Sequence, residues 1–290
     1  MNEADLSQLL GMRVKDARPL SGGEISRAWA FENSSGEHLV VKLKHDAPEG
    51  IFASEADGLD RLRRSGAVRI PAVIALSDGP QAPSEERYIV LEYLPPSRQA
   101  DPEFGREFGE RLARMHAALP SPTGRYGLEK SNYLGAVVQP NAWARDWAGF
   151  YVEQRLEPQF EKAKPILGGL AAQVARLIER AAEILDGMPH RPCLIHGDLW
   201  SGNFLATEEG PALIDPAVYY GHPEIEWAFI DLFGGFPAGM RAGYDSVQPL
   251  DAGYERRRPL LQLYHLLIHV NHFGETYLPG VARTCGAYGM

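Results

Sequence analysis

The segment HGDLWSGN, His196 to Asn203, followed by Asp215 in LIDPA, constrains this chain more than any other stretch. Asp198 and Asn203 are five residues apart, and Asp215 lies twelve beyond Asn203. Apolar runs precede each aspartate and read as short buried strands. The intervening FLATEEGPALI has strand, turn and strand character. That pattern predicts a hairpin that folds Asp215 back beside Asn203. HGD alone could be a simple turn, because Asp and Gly favour loops. The joint spacing is what predicts a site of two carboxylates and one amide.

Such a set suits phosphoryl transfer, which asks a protein for positioning and charge rather than covalent chemistry. A carboxylate must orient or deprotonate the acceptor hydroxyl, and oxygen ligands must hold the magnesium that bridges the phosphates. The spacing resembles that of kinase-like folds, in which the base Asp is followed five residues later by an Asn and, past the next hairpin, by a metal-binding Asp. That resemblance implies Asp198 as the base, Asn203 and Asp215 as Mg2+ ligands, and ATP as the donor. Lys42, inside the apolar strand LVVKL, is expected at the α/β-phosphates, with Glu55, thirteen residues on, as its ion-pair partner. A lysine there could instead snorkel from an edge strand, but that leaves the acid on the next helix unexplained. Gly22 and Gly23 in SGGEIS would let backbone approach the phosphates. YIVLEYL resembles the hinge that meets adenine through backbone groups, here near Glu92 and Leu94, although as sequence it is only a strand that runs into prolines.

The rest of the chain supports an α+β fold of two lobes, a small β-rich one over residues 1–95 and a larger, mostly helical one over 96–290. A glycine-rich turn leads into HLVVKLK as a hairpin. Phe52, Ala56, Leu59 and Leu62 fit one helical face between Ile51 and Arg64. RIPAVIAL and RYIVLEYL read as two more strands, the second stopped by Pro95-Pro96. Phe104, Phe108, Leu112, Met115 and Leu119 mark one helix, and Leu167, Leu170, Val174, Leu177, Ala181 and Ile184 another. An apolar helix, PLLQLYHLLIHVNHFG, closes the chain.

Composition limits the partners. The formal net charge is −9, which argues against nucleic acid and tolerates cationic ligands. Cys193 and Cys285 form no CxxC or Cys/His spacing, as expected in a reducing cytoplasm. The polar, acidic start predicts no signal peptide, and no run is long enough to span a bilayer. His265, His269 and His272, spaced four and three apart, are expected to be hydrogen-bonded packing residues rather than metal ligands, since no acid or thiol accompanies them. The Arg61, Arg63, Arg64 cluster reads as a solvated helix face and His116 as a structural histidine.

Beyond these motifs, SGGEISRAW, FASEADGL, SNYLGAVVQPNAWARDWAGFYVEQRL, LIHGDLWSGN, IDPAVYYGHPEIEWAF, LFGGF and LYHLLIHVNHFGETY run in order over nearly the whole chain. Together they resemble the fructosamine (ketosamine) kinase family. The resemblance implies a protein-kinase-like, aminoglycoside-kinase-like fold and phosphorylation of ketoamine adducts, on small molecules or glycated proteins, at the sugar 3-hydroxyl, initiating deglycation. Carried over, Asp198 is the base, Asn203 and Asp215 bind magnesium, and Trp200 forms a wall of the sugar site. Glu24 stands where several members have a cysteine, which removes any redox control through that loop. Trp227 follows Glu226 where an aliphatic residue is usual, so packing there should differ. A cationic polyol also needs aromatic, amide and carboxylate partners. Asn132, Tyr133, Asn141, Trp143 and Asp146 are candidates, with Glu224 and Glu226 for the amine, whereas Trp147 and Phe150 read as core. An aminoglycoside or choline phosphotransferase, or a nucleotide-binding scaffold without activity, would share the same motifs, and oligomeric state is not legible.

Overall fold

The computed structural model describes residues 2–20, 27–44, 46–79, 82–83, 87–96 and 100–290. Gly22, Gly23 and Glu24 lie outside the described residues. The chain opens with helix α1 (Glu3–Leu10), started by a reciprocal capping box between Asn2 and Asp5. Strands β1 (Lys15–Leu20), β2 (Arg27–Glu32) and β3 (His38–Leu43) follow, then helix α2 (Ile51–Arg63), β4 (Val73–Ser77) and β5 (Tyr88–Glu92). The five strands form one antiparallel sheet in the order β1-β2-β3-β5-β4.

Strand alternation divides that sheet into two faces. Leu39, Val41 and Leu43 of β3 join Trp29, Phe31 and Val90 under α1 in a small core. Lys42 therefore points to the opposite face, where α2 lays Phe52, Ala56, Leu59 and Leu62. That second face belongs to a larger core that continues into the helical remainder of the chain.

The remainder begins with α3 (Pro102–Ala118), a hairpin β6 (Asn132–Leu134) and β7 (Val137–Gln139), and α4 (Trp147–Tyr151). A π-turn over Val152–Leu156 leads into α5 (Glu157–Leu167). The helix expected across residues 167–184 is interrupted. Gly168, at a φ of 53°, ends α5, and a 3-10 turn precedes α6 (Ala171–Glu179) and the short α7 (Ala181–Ile184). Its apolar positions still face the core, because the breaks preserve their direction. Next come β8 (Cys193–Ile195), the hairpin β9 (Phe204–Thr207) and β10 (Gly210–Leu213), and β11 (Tyr219–Gly221), which pairs with β8.

Helices α8 (Pro223–Phe233), α9 (Met240–Val247), α10 (Tyr254–Phe273) and α11 (Leu278–Ala287) complete the chain. α9 approaches α3 so closely that a Cβ on Gly109 would lie 1.8 Å from the Met240 carbonyl. Trp227, on α8, is buried edge-to-face on Tyr244 of α9. No helix among the described residues is long and apolar enough to cross a membrane.

Candidate active site

The hairpin β9–β10 does what the spacing of its flanking residues requires. It returns the chain so that the Ile214 amide donates to the Asn203 carbonyl at 3.1 Å, placing Asp215 beside the loop that carries Asp198. Asn203 donates through Nδ2 to the Asp198 carbonyl at 2.8 Å and to Asp198 Oδ2 at 3.2 Å. Asp215 itself sits at a φ of 57°. Such a left-handed backbone costs a non-glycine residue on the order of 1 kcal/mol or more and clusters at functional sites.

Lys42 reaches this loop from the sheet. Its Nζ lies 2.7 Å from Glu55 Oε1 and 2.7 Å from Asp215 Oδ1. Burial alone would drive the ammonium toward neutrality, but the charges of Asp215 and Glu55 outweigh it, and Lys42 is held protonated well above its ordinary range. The segment before β4 is tied to the same hairpin, with Arg69 N donating to Pro211 O and Leu213 N to Arg69 O. Lys42, Glu55, Asp198, Asn203 and Asp215 therefore form one connected cluster.

Behind the HGD turn lies a carboxylate with a role the sequence did not disclose. Glu226, on α8, accepts the Gly197 amide at 2.8 Å through Oε1 and the His196 amide at 3.1 Å through Oε2. His116 of α3 meets Oε2 at 2.9 Å and, through its other ring nitrogen, the Tyr244 hydroxyl at 2.9 Å. Burial would raise the Glu226 carboxyl, but these donors outweigh it and hold it below the usual range. Glu226 is therefore committed to the turn and not to a substrate amine. The turn also needs Gly197, whose φ is 81° and whose Cβ would lie 2.1 Å from the Ala217 carbonyl. His196 closes the arrangement, its Nε2 donating to the Ile214 carbonyl at 2.9 Å.

Of the residues expected around the acceptor, Glu224, Asn132 and Asn141 are placed in the interior. Glu224 is 1% exposed and accepts from both Nε and Nη2 of Arg257, which leaves no free oxygen for a cationic ligand. Asn132 donates to the Val218 carbonyl at 2.7 Å and accepts from Gln139 and Asn141. Asn141 spends its amide nitrogen on Lys130 O and Asn132, and its oxygen on Arg155. With Gln139, which donates to the Ala217 carbonyl, these amides brace the segment that follows Asp215. They support the site rather than line it. Trp200 differs, being 36% exposed one residue past Leu199 and packed over Gly202, where any side chain would strike the indole.

Other candidates also find structural partners. Asp146 caps α4 through the Gly149 amide, Tyr133 donates to the Glu49 carbonyl, and Trp143 stacks on Tyr220. Trp147 and Phe150 are core. His269 and His272 donate to the carbonyls of His265 and Ile268, but His265 has no hydrogen-bond partner for either ring nitrogen among the described residues and lies flat on Phe229 at 3.8 Å. Arg61 is bridged to Asp57 and Glu129 rather than simply solvated. Glu92 ends β5 with its carboxylate on Arg69 and the Ala72 amide and its own amide on the Ala72 carbonyl, and Leu94 is buried.

Magnesium can be tested against this donor set. Asn203 turns its nitrogen to Asp198, which leaves Oδ1, and Asp215 has Oδ2 beyond the oxygen held by Lys42. One carboxylate and one amide oxygen suit a metal completed by water and phosphate oxygens. The fit is good.

An amicoumacin kinase, solved with AMP-PNP, Ca2+ and Ami, matches with a TM-score of 0.62 at 14% identity, over 99% of this chain and 92% of that one. The chain therefore has the α+β fold of kinases of this type. The family follows from closer matches: a model of the fructosamine kinase family covers residues 2–287. A probable ketoamine kinase of Vibrio vulnificus (strain CMCP6) is 36% identical over 261 residues, 89% of this chain and 87% of its own. The crystal structure of a candidate fructosamine-3-kinase from Thermobifida fusca YX-ER1 has a TM-score of 0.84 at 32% identity, over 98% and 97% of the two chains. The chain belongs to the fructosamine kinase family.

Proposed function

We propose that the protein transfers the γ-phosphoryl group of ATP to the sugar 3-hydroxyl of a ketoamine, free or on a glycated protein. One observation carries the reading: Lys42, Asp215, Asn203 and Asp198 converge from a sheet, a hairpin and a loop into one bonded cluster. In it, Asp198 accepts the proton of the acceptor hydroxyl as that oxygen attacks phosphorus. Lys42, oriented by Glu55, binds phosphate oxygens. Asn203 and Asp215 would hold Mg2+, which supplies charge neutralisation on the phosphates. Backbone near Glu92 and Leu94 would receive the adenine, between the sheet-bearing residues 1–95 and the helical residues 96–290. Trp200 offers an apolar face to the sugar.

The chemical consequence is deglycation. A 3-phosphate stands on the carbon beside the C2 carbonyl. Loss of a proton from C1 gives an enaminol across C1 and C2, in which the C3–O bond is allylic. Its electron pair then expels phosphate, and water hydrolyses the resulting C1 imine to free amine and a 3-deoxy dicarbonyl. No further group on the protein is required. Incubation with Mg-ATP and fructose-lysine or ribulose-lysine should give ADP first, with phosphate and lysine following together at a rate independent of enzyme concentration. Activity confined to aminoglycosides or choline, or a phosphate ester stable for days, would defeat this reading.

A further inference from the structure

α2 begins without a capping side chain of its own, since its N-cap is Gly50 at a φ of 82°. Its first amides are met from the next hairpin instead. Asp78, one residue past β4 and 25 residues from its partner, accepts the Ala53 amide through Oδ2 at 2.7 Å. Burial pushes its carboxyl up, against the Ala53, Gly50 and Phe52 amides and Arg87, which favour the charged form. The side chain is 1% exposed. Arg87, just before β5, brings Nε to 3.8 Å from Oδ1 and donates through Nη1 to the Ala47 carbonyl. One hairpin thus grips both the loop before α2 and the first turn of α2.

A buried carboxylate is costly to place, and an ordinary Ser or Asn at the N-cap would satisfy a helix start. What distinguishes this helix is its cargo. Glu55 sits two residues after Ala53 and bonds Lys42, which bonds Asp215. We infer that Asp78 is a positioning residue, which fixes α2 so that Glu55 holds Lys42 at the phosphate site. The inference rests on the ATP-site reading given above. Asp78 touches neither Lys42 nor Asp215, so its effect must pass through α2.

A double-mutant cycle reads that passage directly. Kinetics with Mg-ATP and fructose-lysine, and Mg-ATP affinity by calorimetry, are measured for wild type, Asp78→Ala, Glu55→Gln and the double variant. Asp78→Ala should lower kcat/KM for ATP on the order of 10²-fold, the scale of a roughly 1 Å misplacement. In the Glu55→Gln background the same change should cost less than about threefold, because the group it positions is gone. Asp78→Asn, which keeps an acceptor oxygen for the Ala53 amide, should recover most of the loss. Equal factors in both backgrounds, or an Asp78→Ala enzyme with wild-type kinetics, would overturn the inference. Should Asp78→Ala fail to fold, Arg87→Met in the same two backgrounds loosens the clamp from its other side and is read in the same way. A wild-type protein that does not bind Mg-ATP would defeat the ATP-site reading itself, whereas additive factors in an active enzyme would defeat only the role of Asp78.

Discussion

At Asp198 the carboxyl is pushed up to about 8, first by burial and then by the charge of Asp215, against the pull of Asn203 and Lys42. Asp198→Asn preserves shape and removes the proton acceptor, so kcat should fall by about 10²-fold or more. Mg-ATP affinity, measured by titration, should stay within a few-fold. Turnover near wild type would take Asp198 out of the mechanism. Trp200 makes the opposite separation. Its indole is partly exposed over Gly202, two residues past Asp198, and removing it should raise KM for the ketoamine by roughly tenfold through lost stacking area, with KM for ATP nearly unchanged. Equal changes for both substrates would point to a packing role instead. Glu226 was expected at the substrate amine and His116 only as a structural histidine, and their shared place behind the HGD turn could not be read from the residues around them. Their partners are backbone amides and a tyrosine far along the chain, and no local spacing announces them.

Elements decide which side chains can meet. β3 presents Lys42 to α2 because alternation sends Leu39, Val41 and Leu43 to the other face. α8 turns Glu226 toward the HGD loop and Glu224 toward Arg257 of α10, so two acids in one helical turn serve different neighbours. α10 also carries a buried imidazole. Burial, with the nearby charges of His269 and Arg155, holds His265 well below its ordinary value. The unfolded chain therefore gains a proton as pH falls through about 6.5 while the folded protein does not, and stability is lost on acidification by about 1.4 kcal/mol per pH unit. His265→Phe keeps the stacking on Phe229 and removes that proton. Urea unfolding between pH 5 and 7.5 should give a shallower loss of stability for the variant by about that slope. Parallel curves for the two proteins would show that His265 does not carry it.

Taken as a whole, the molecule joins a five-stranded sheet to a helical body through the Lys42–Asp215 contact and the Arg69 bonds to the β9–β10 hairpin. A nucleotide held there should stabilise both parts together. At a hundredfold excess over Kd, linkage supplies about 2.7 kcal/mol, or a rise in Tm of roughly 5 °C for a chain of this size. Asp215→Ala should lose most of the magnesium-dependent part of that rise in a thermal melt. An undiminished shift would reassign the metal site. How much of this was legible follows from the range of each interaction. The spacing of Asp198, Asn203 and Asp215, the apolar runs around Lys42 and the helical face from Phe52 to Leu62 are local patterns, legible because period and turn chemistry act over a few residues. The broken helix at Gly168 was less visible, since its apolar period survives the break. That Glu224 meets Arg257, that Asn132 and Asn141 brace Val218 and Arg155, and that Asp78 caps α2 became visible in the packed chain. A buried polar group must find a partner wherever the packed chain offers one, and that partner's place is set by packing across the whole fold, not by its distance in sequence.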